Sequence, residues 1–437
     1  MKKFKLNILT IFAVIFSLSL MTTSCGDDDD NVDPTDDGPG GVVEVVNKTG
    51  AITANETWTA DKIYVLNQKV VVENGVTLTI NPGTIIKGST GQGSLASALI
   101  IARGGKLMAE GTADQPIIFT STADNIEVGQ TAGTNLDQND RGLWGGLIVL
   151  GNAKGSFRGD VTEVQIEGIP PSDTFGLYGG NNDNDNSGKL KYISIRHGGA
   201  LIGEGNEING LTLGCVGSGT EISHIEVVAN VDDGVEWFGG SVDTSNVFVW
   251  ACGDDAIDVD QAYSGTIDNV FVVLGDTSDH GLEIDGPEGS FDAGFTLQNV
   301  TMVGNLNTSN GEYADFRSGA HVTTSNVYAY GFKSSSDVEL DNNGVSQRFL
   351  DGDIQFSNWE IVGAGNEIFA EKVGCAQNCD DADETNDIPQ NLIILNPSFT
   401  ERAANWTTTV QEGSQTGGAN TSEFSWTYSN QKAGLGL

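Results

Sequence analysis

The chain is 437 residues long, with 58 glycines, 9 prolines and 60 acidic against 21 basic residues, for a formal charge of −39. That charge excludes nucleic acid and anionic membrane surfaces as partners, because both would repel it, and leaves cations and neutral or basic ligands open. Much of the acid also has a plain reading as the solubility of a secreted protein.

Lys2, Lys3 and Lys5 precede an apolar stretch from Leu6 to Met21, then small residues and Cys25, which is the layout of a secretory signal. The stretch falls short of the roughly 20 residues that span a bilayer. Its end, Met21-Thr22-Thr23-Ser24-Cys25-Gly26, resembles a bacterial lipobox, which implies a signal over residues 1–24 and a lipid on Cys25. An ordinary cleaved signal with an incidental cysteine is the alternative. Residues 25–41, with four aspartates from Asp27 to Asp30, cannot bury a core and read as an acidic disordered tether. The acid behind the cysteine resembles the surface-export signal of Bacteroidota lipoproteins. That resemblance implies an outer-membrane protein facing the extracellular side, held to the membrane only through its N-terminal lipid.

Beyond the tether, short apolar runs recur: Gly75 to Thr84, Ala98 to Leu107, Pro116 to Ser121 and Trp144 to Val149. From His224 onward one phrase repeats, an Asn or His followed by an apolar, any, apolar triplet. It starts at His224, Asn246, Asn269, Asn299, Asn326 and Asn358, in steps of 22 to 32 residues. The shorter steps suit one coil of three short strands, and the longer ones the same coil with a corner loop. A second apolar-polar-apolar strand accompanies each phrase, at Leu211, Val235, Ile257, Leu282, Ala314 and Val338, with Gly210, Gly234, Ala256 or Gly281 at a tight corner before it. The asparagines are expected to form an internal ladder at the turn. The fold class read from this pattern is all-β, a right-handed parallel β-helix of the pectin-lyase type. It occupies residues 42–390, and residues 391–437, with Trp406 and Trp426, cap its last coil. These phrases resemble a family of bacterial surface lipoproteins with a β-helix body, from about Val42 to the C-terminus. Cys375 and Cys379 could close a small disulfide, while Cys215 and Cys252, at different positions around the coil, read as buried free thiols.

Stacked coils repeat about every 4.8 Å, so the outward residues of successive second strands form columns. One holds Glu236, Asp258, Glu283, Asp315 and Glu339, and its neighbour Phe238, Asp260, Asp285, Arg317 and Asp341. Like charges about 5 Å apart repel by roughly 0.8 kcal/mol in water and about 3 kcal/mol at an effective dielectric near 20. Relief would come from raised carboxyl pKa values, from Arg317, from bound Ca²⁺, or from side chains splaying into solvent. Glu236, Asp258, Asp260, Glu283, Asp285 and Arg317 are the ligand-binding candidates. Asp183 and Asp185, in Asp183-Asn184-Asp185-Asn186-Ser187-Gly188, are candidate metal ligands, though Ser194 stands where a calcium loop wants its distal acid.

The same coils resemble the polygalacturonase family at its active-site motifs. Its Asn-Thr-Asp-Gly falls on Val231-Asp232-Asp233-Gly234, its Gly-Asp-Asp on Gly253-Asp254-Asp255, its Gly-His-Gly on Asp279-His280-Gly281 and its Arg-x-Lys on Asp315-Phe316-Arg317. The resemblance implies catalysis by Asp233, Asp254, Asp255 and His280. Asp315 in place of a basic clamp residue would repel an acidic sugar, and Asp and Gly also suit any tight corner. A binding or adhesion module is therefore the leading expectation, engaging a polysaccharide or a surface protein, with Trp237, Phe238, Trp250 and Tyr263 near the acidic columns as stacking candidates. A structural spacer and a pectinase-type hydrolase or lyase are the other readings.

Overall fold

The computed structural model describes residues 43–201, 208–372, 375–377, 388–389 and 394–437. The signal, Cys25 and the tether lie outside the described residues, as does Cys379. One sheet of 24 strands winds through the body, and every pairing in it is parallel. This is the parallel β-helix the repeat predicts. Cys215 and Cys252 are buried free thiols.

Each coil in the repeat contains one long bent strand and one short one. Glu221–Val228, Thr244–Trp250, Thr266–Val273, Phe295–Val303, Val322–Tyr330 and Ile354–Val362 stack as the bent strands. The bend falls on the first residue of the repeated phrase. His224, Asn246, Asn269, Asn299, Asn326 and Asn358 all take a left-handed backbone, with φ between 51° and 60°. Asparagine tolerates this conformation best among residues with a side chain, which is why it recurs there. The three expected arms of the coil are thus two arms of one bent strand plus the short strand.

The asparagine ladder exists but faces outward, which corrects the expectation of an internal one. Asn269 Nδ2 donates to Asn246 Oδ1 at 2.6 Å, and Asn358 Nδ2 to Asn326 Oδ1 at 3.0 Å. A left-handed bend throws its side chain off the outside of the corner, and the amides need cover from elsewhere. The C-terminal chain supplies it. Thr407–Val410 first pairs with Ile354–Val362 and closes the last coil. The chain then runs back along the ladder, with Asn420 N donating to Asn269 Oδ1 at 2.6 Å and Gly418 N to Asn326 Oδ1 at 3.3 Å. It ends on the buried carboxylate of Glu226, which accepts from Tyr428 N, Ser429 N and Ser429 Oγ.

The short strands Leu211–Gly214, Val235–Phe238, Ile257–Asp260, His280–Ile284, Glu312–Phe316 and Val338–Leu340 stack in register along one face. Leu211, Val235, Ile257, Leu282, Ala314 and Val338 form one inward column and Leu213, Trp237, Val259, Ile284, Phe316 and Leu340 the next, all of them in the core. A Cβ on Gly234 would sit 2.5 Å from Ala256 O and from Val249 Cγ1, so that corner is tight as expected.

Towards the N-terminus the outward side of this face is apolar. Ile100 and Ile148 occupy the column that later becomes acidic, beneath Phe157, Ile166, Ile169 and Tyr178 from a chain excursion between Gly151 and Gly188. Downstream of Phe238 that cover ends and the acidic columns begin.

Replacing Asn269 by Ala removes the bond to Asn246 and both bonds to Asn420, and places a Cβ without a local hydrogen-bonding group in a left-handed bend. The expected loss is about 4–5 kcal/mol, from about 1 kcal/mol for each of the three lost bonds and 1–2 kcal/mol of backbone strain. Urea unfolding monitored by tryptophan fluorescence checks it, and Asn269→Gly, which keeps the backbone free, should lose less.

Candidate functional site

The strand register shows the first outward column in full and the first step of the second. Glu236, Asp258, Glu283, Asp315 and Glu339 are successive partners, as are Phe238 and Asp260. A third column lies three residues upstream of the first, at the corner where each short strand begins or just before it: Asn209, Asp233, Asp255, His280 and Glu312. It brings together three of the four residues that the polygalacturonase resemblance singles out, and Asp254 stands next to them in the chain.

Hydrogen bonds tie this corner column from coil to coil. Asp233 N donates to Asn209 Oδ1 at 3.3 Å, Asp255 N to Asp233 Oδ1 at 2.9 Å, and His280 N to Asp255 Oδ1 at 2.7 Å. The imidazole of His280 donates from Nδ1 to the same Asp255 oxygen at 2.8 Å, and its Nε2 lies 4.0 Å from Asp279. Each carboxylate at the corner therefore satisfies the next coil's amide. Asp233 and Asp255 are buried while Asp254 is exposed and Asp279 half-exposed. In sequence Asp279 stands only as a departure from Gly-His-Gly, and Asn209, the polar head of the column, belongs to no motif. Their alignment just ahead of the short strands was the available signal.

Burial dominates the electrostatics. Glu236 and Asp258 are 4% and 8% exposed, so the head of the acidic column is not a solvated face. Loss of solvent, followed by the charge of neighbouring acids, holds Asp233, Glu236 and Asp258 well above the usual carboxylate range. The same causes lift Asp254 to about 6, next to Asp255 and Asp279, and Asp285 to about 8. Burial lifts Asp315 to about 7, against the opposing charge of His280, and lifts Glu312 to about 8 with help from the shared bond to Asp337. For His280, burial works against its charge, but the bond to Asp255 and the surrounding acids prevail and raise it to about 9. Arg317 is engaged by Glu283 and, at 3.6 Å, by Asp285.

The remaining candidates are engaged by their neighbours. Asp183 pairs with Lys154 Nζ at 2.9 Å, and Asp185 accepts from Asn152 Nδ2 at 3.0 Å, so the two carboxylates serve as loop fasteners. Among the described residues, neither belongs to a group of three or more acids or histidines whose ligand atoms converge. The four aromatic stacking candidates are all buried. Trp237 and Tyr263 lie inside the coil, Phe238 meets Tyr178 at 6.1 Å, and Trp250 meets Tyr428 at 6.4 Å. Alternation turned Phe238 and Trp250 outward as expected, but the excursion and the C-terminal chain cover them.

The pKa shifts set the pH dependence of stability. Carboxyls whose native pKa is raised keep protons that the unfolded chain has released, so the stability they lend at low pH is lost as pH rises from about 4 through 7–8. His280 adds stability that is full below about 6.5 and lost as pH rises through about 9. Both run the same way. The thermal midpoint should be highest near about pH 5 and fall steadily to about pH 9, and Asp285→Asn should flatten that fall in a calorimetric series.

Among solved structures, the chain is similar to a family 28 exopolygalacturonase of Yersinia enterocolitica, at 12% identity over 69% of this chain and 68% of that one, with a TM-score of 0.23. The superposition is too loose to carry residue roles across. No curated protein matches the chain. Residues 50–428 match the family described as the pectate-lyase-like β-helix domain. With a continuous parallel solenoid and a match over most of its length, the chain belongs to that family.

Proposed function

We propose that the corner column and its flanking acids cleave a glycosidic bond in a polysaccharide lying across the stacked short strands. The observation that carries this reading is the hydrogen-bonded run of Asp233, Asp255 and His280 on three successive coils, with the exposed Asp254 beside it. Glycoside hydrolysis needs one carboxyl that holds a proton for the leaving oxygen and another, ionised, that takes a proton from water. Asp254 fits the donor's role, since it reaches solvent while its neighbours are acids. Asp279 fits the base's role: its amide donates to Asp254 O at 3.1 Å, its side chain is 31% exposed, and His280 Nε2 lies 4.0 Å from its carboxylate. Asp255 acts through His280, holding the ring on the next coil. In the balanced step the proton of Asp254 goes to the departing sugar oxygen, the glycosidic bond breaks, water supplies the new bond, and its proton passes to Asp279.

The substrate class follows from Arg317, which two acids already engage, so the face offers no free basic clamp for a uronate. A neutral or amine-bearing polysaccharide suits it better. With a lipid on Cys25 and an acidic tether, such a protein would act on glycans outside the cell.

Incubating the body from Val43 onward with neutral, amine-bearing and uronate polysaccharides, and assaying new reducing ends, tests this. Release on a neutral or amine-bearing chain is expected, with Asp254→Asn and Asp279→Asn each lowering it at least 100-fold, the scale on which positioned acid–base groups act, roughly 10²–10⁴. Retention of a glycan with no release, unchanged in Asp254→Asn, would instead make this face a binding module.

A further inference from the structure

The strongest unassigned feature lies one step inside the face, between the corner column and the first acidic column. Carboxylate oxygens of Asp233, Glu236 and Asp258 lie within 4.8 Å of one another, and all three residues are buried, at 7%, 4% and 8% exposure. No basic side chain pairs with any of them among the described ion pairs. Asp258 Oδ1 is fully enclosed and has no hydrogen-bond partner. A buried acceptor left without a partner costs about 1–3 kcal/mol, and more when it is charged. Two of the three acids are also held in place from outside. Asn209 Nδ2 donates to Glu236 Oε2, and Asp255 N donates to Asp233 Oδ1 at 2.9 Å.

We infer that Asp233, Glu236 and Asp258 form a closed site for a hard divalent cation, with Ca²⁺ the ion that fits. The donors are all carboxylate oxygens, which select Ca²⁺ or Mg²⁺ over zinc or copper. Oxygens on opposite sides of one ion are separated by up to about 4.6–5.2 Å for Ca²⁺ and about 4.1 Å for Mg²⁺, twice the respective metal–oxygen distance. The three ligand atoms lie within 4.8 Å of one another, which either span allows. Mg²⁺, however, keeps several of its waters and is seldom held by an all-protein cage, so a closed, buried carboxylate set suits Ca²⁺. Three carboxylates binding through both oxygens would supply six ligands, and the pinned Asn209 and Asp255 amide orient the set as outer partners commonly do. The trio spans two coils, so the ion would clamp Val235–Phe238 to Ile257–Asp260 at the point where the apolar cover ends. Its burial keeps it out of reach of a glycan chain. It therefore goes beyond the proposed activity, as a fastener within the solenoid.

The test uses the body after chelator treatment, titrated with Ca²⁺, Mg²⁺ or Tb³⁺. Tb³⁺ emission excited through tryptophan is a direct readout, since Trp237 is adjacent to Glu236. Saturable Ca²⁺ binding at one site is expected, together with a rise in thermal midpoint, Tb³⁺ emission displaced by Ca²⁺, and weaker Mg²⁺ binding. Asp258→Asn should weaken Ca²⁺ at least 10-fold while raising the midpoint of the ion-free protein, because it relieves a buried like charge. That opposite pair of effects separates a ligand from a merely structural acid. Glu312→Gln, in a separate acidic group, should leave Ca²⁺ binding unchanged. Absence of any Ca²⁺-dependent shift or Tb³⁺ emission would overturn the inference, as would undiminished binding in both Asp258→Asn and Glu236→Gln. Neither result depends on whether the face cleaves glycans.

Discussion

The parallel ladder places each residue about 4.8 Å from its counterpart one coil away, and everything else in this molecule answers to that spacing. Inside the coil the repetition is favourable. Leucine on valine on isoleucine packs without gaps, and each fully buried aliphatic side chain contributes about 1.5–3 kcal/mol. At the corner it is favourable again, because an amide can donate to one neighbour while accepting from the other. On the outward face the same rule stacks acid on acid, where it opposes folding. The structure responds in different ways along one column: an apolar covering at the N-terminal end, enclosed carboxyls in the middle, and ion pairs through Arg317 and Lys372 further on.

That gradient is what gives the face its chemistry. A uniformly solvated row of carboxylates would titrate together near their ordinary values. Here burial differs from coil to coil, so adjacent acids of the same kind hold protons to different extents. Asp254 and Asp255 are neighbours in sequence, yet one reaches solvent and the other is sealed against a histidine. Pairs of acids whose surroundings separate them are the usual basis of acid–base work.

Much of this was legible in the sequence, for a physical reason. A period-2 strand repeated at nearly constant intervals fixes both register and facing, so the columns through Glu236 and Asp260 could be written down residue by residue. The free thiols at Cys215 and Cys252 followed from their unequal places on the coil. What the sequence did not reveal is which outward residues would be covered. Phe238 and Trp250 point outward as alternation demands, but what shields them comes from chain segments about 60 and 178 residues away, Tyr178 and Tyr428, and no local pattern encodes that meeting. The asparagines were read as a ladder correctly and as internal wrongly, because the repeat shows the spacing of the amides but not the hand of the backbone that carries them. Asp183 and Asp185 looked like metal ligands by composition alone, and Lys154 and Asn152 reach them only through the fold.

A solenoid ordinarily has one-dimensional mechanics: each coil feels only its neighbours, and stability is a sum along a line. The returning C-terminal chain changes that. Ser429 fastens to Glu226, 203 positions earlier, and Tyr428 OH donates to Leu136 O, 292 positions earlier. The line becomes a closed circuit, in which coils early in the chain are completed only by its last ten residues. Such a body should open as a whole rather than fray from one end. During synthesis, its middle coils would wait with their amide ladder uncovered until the final residues arrive.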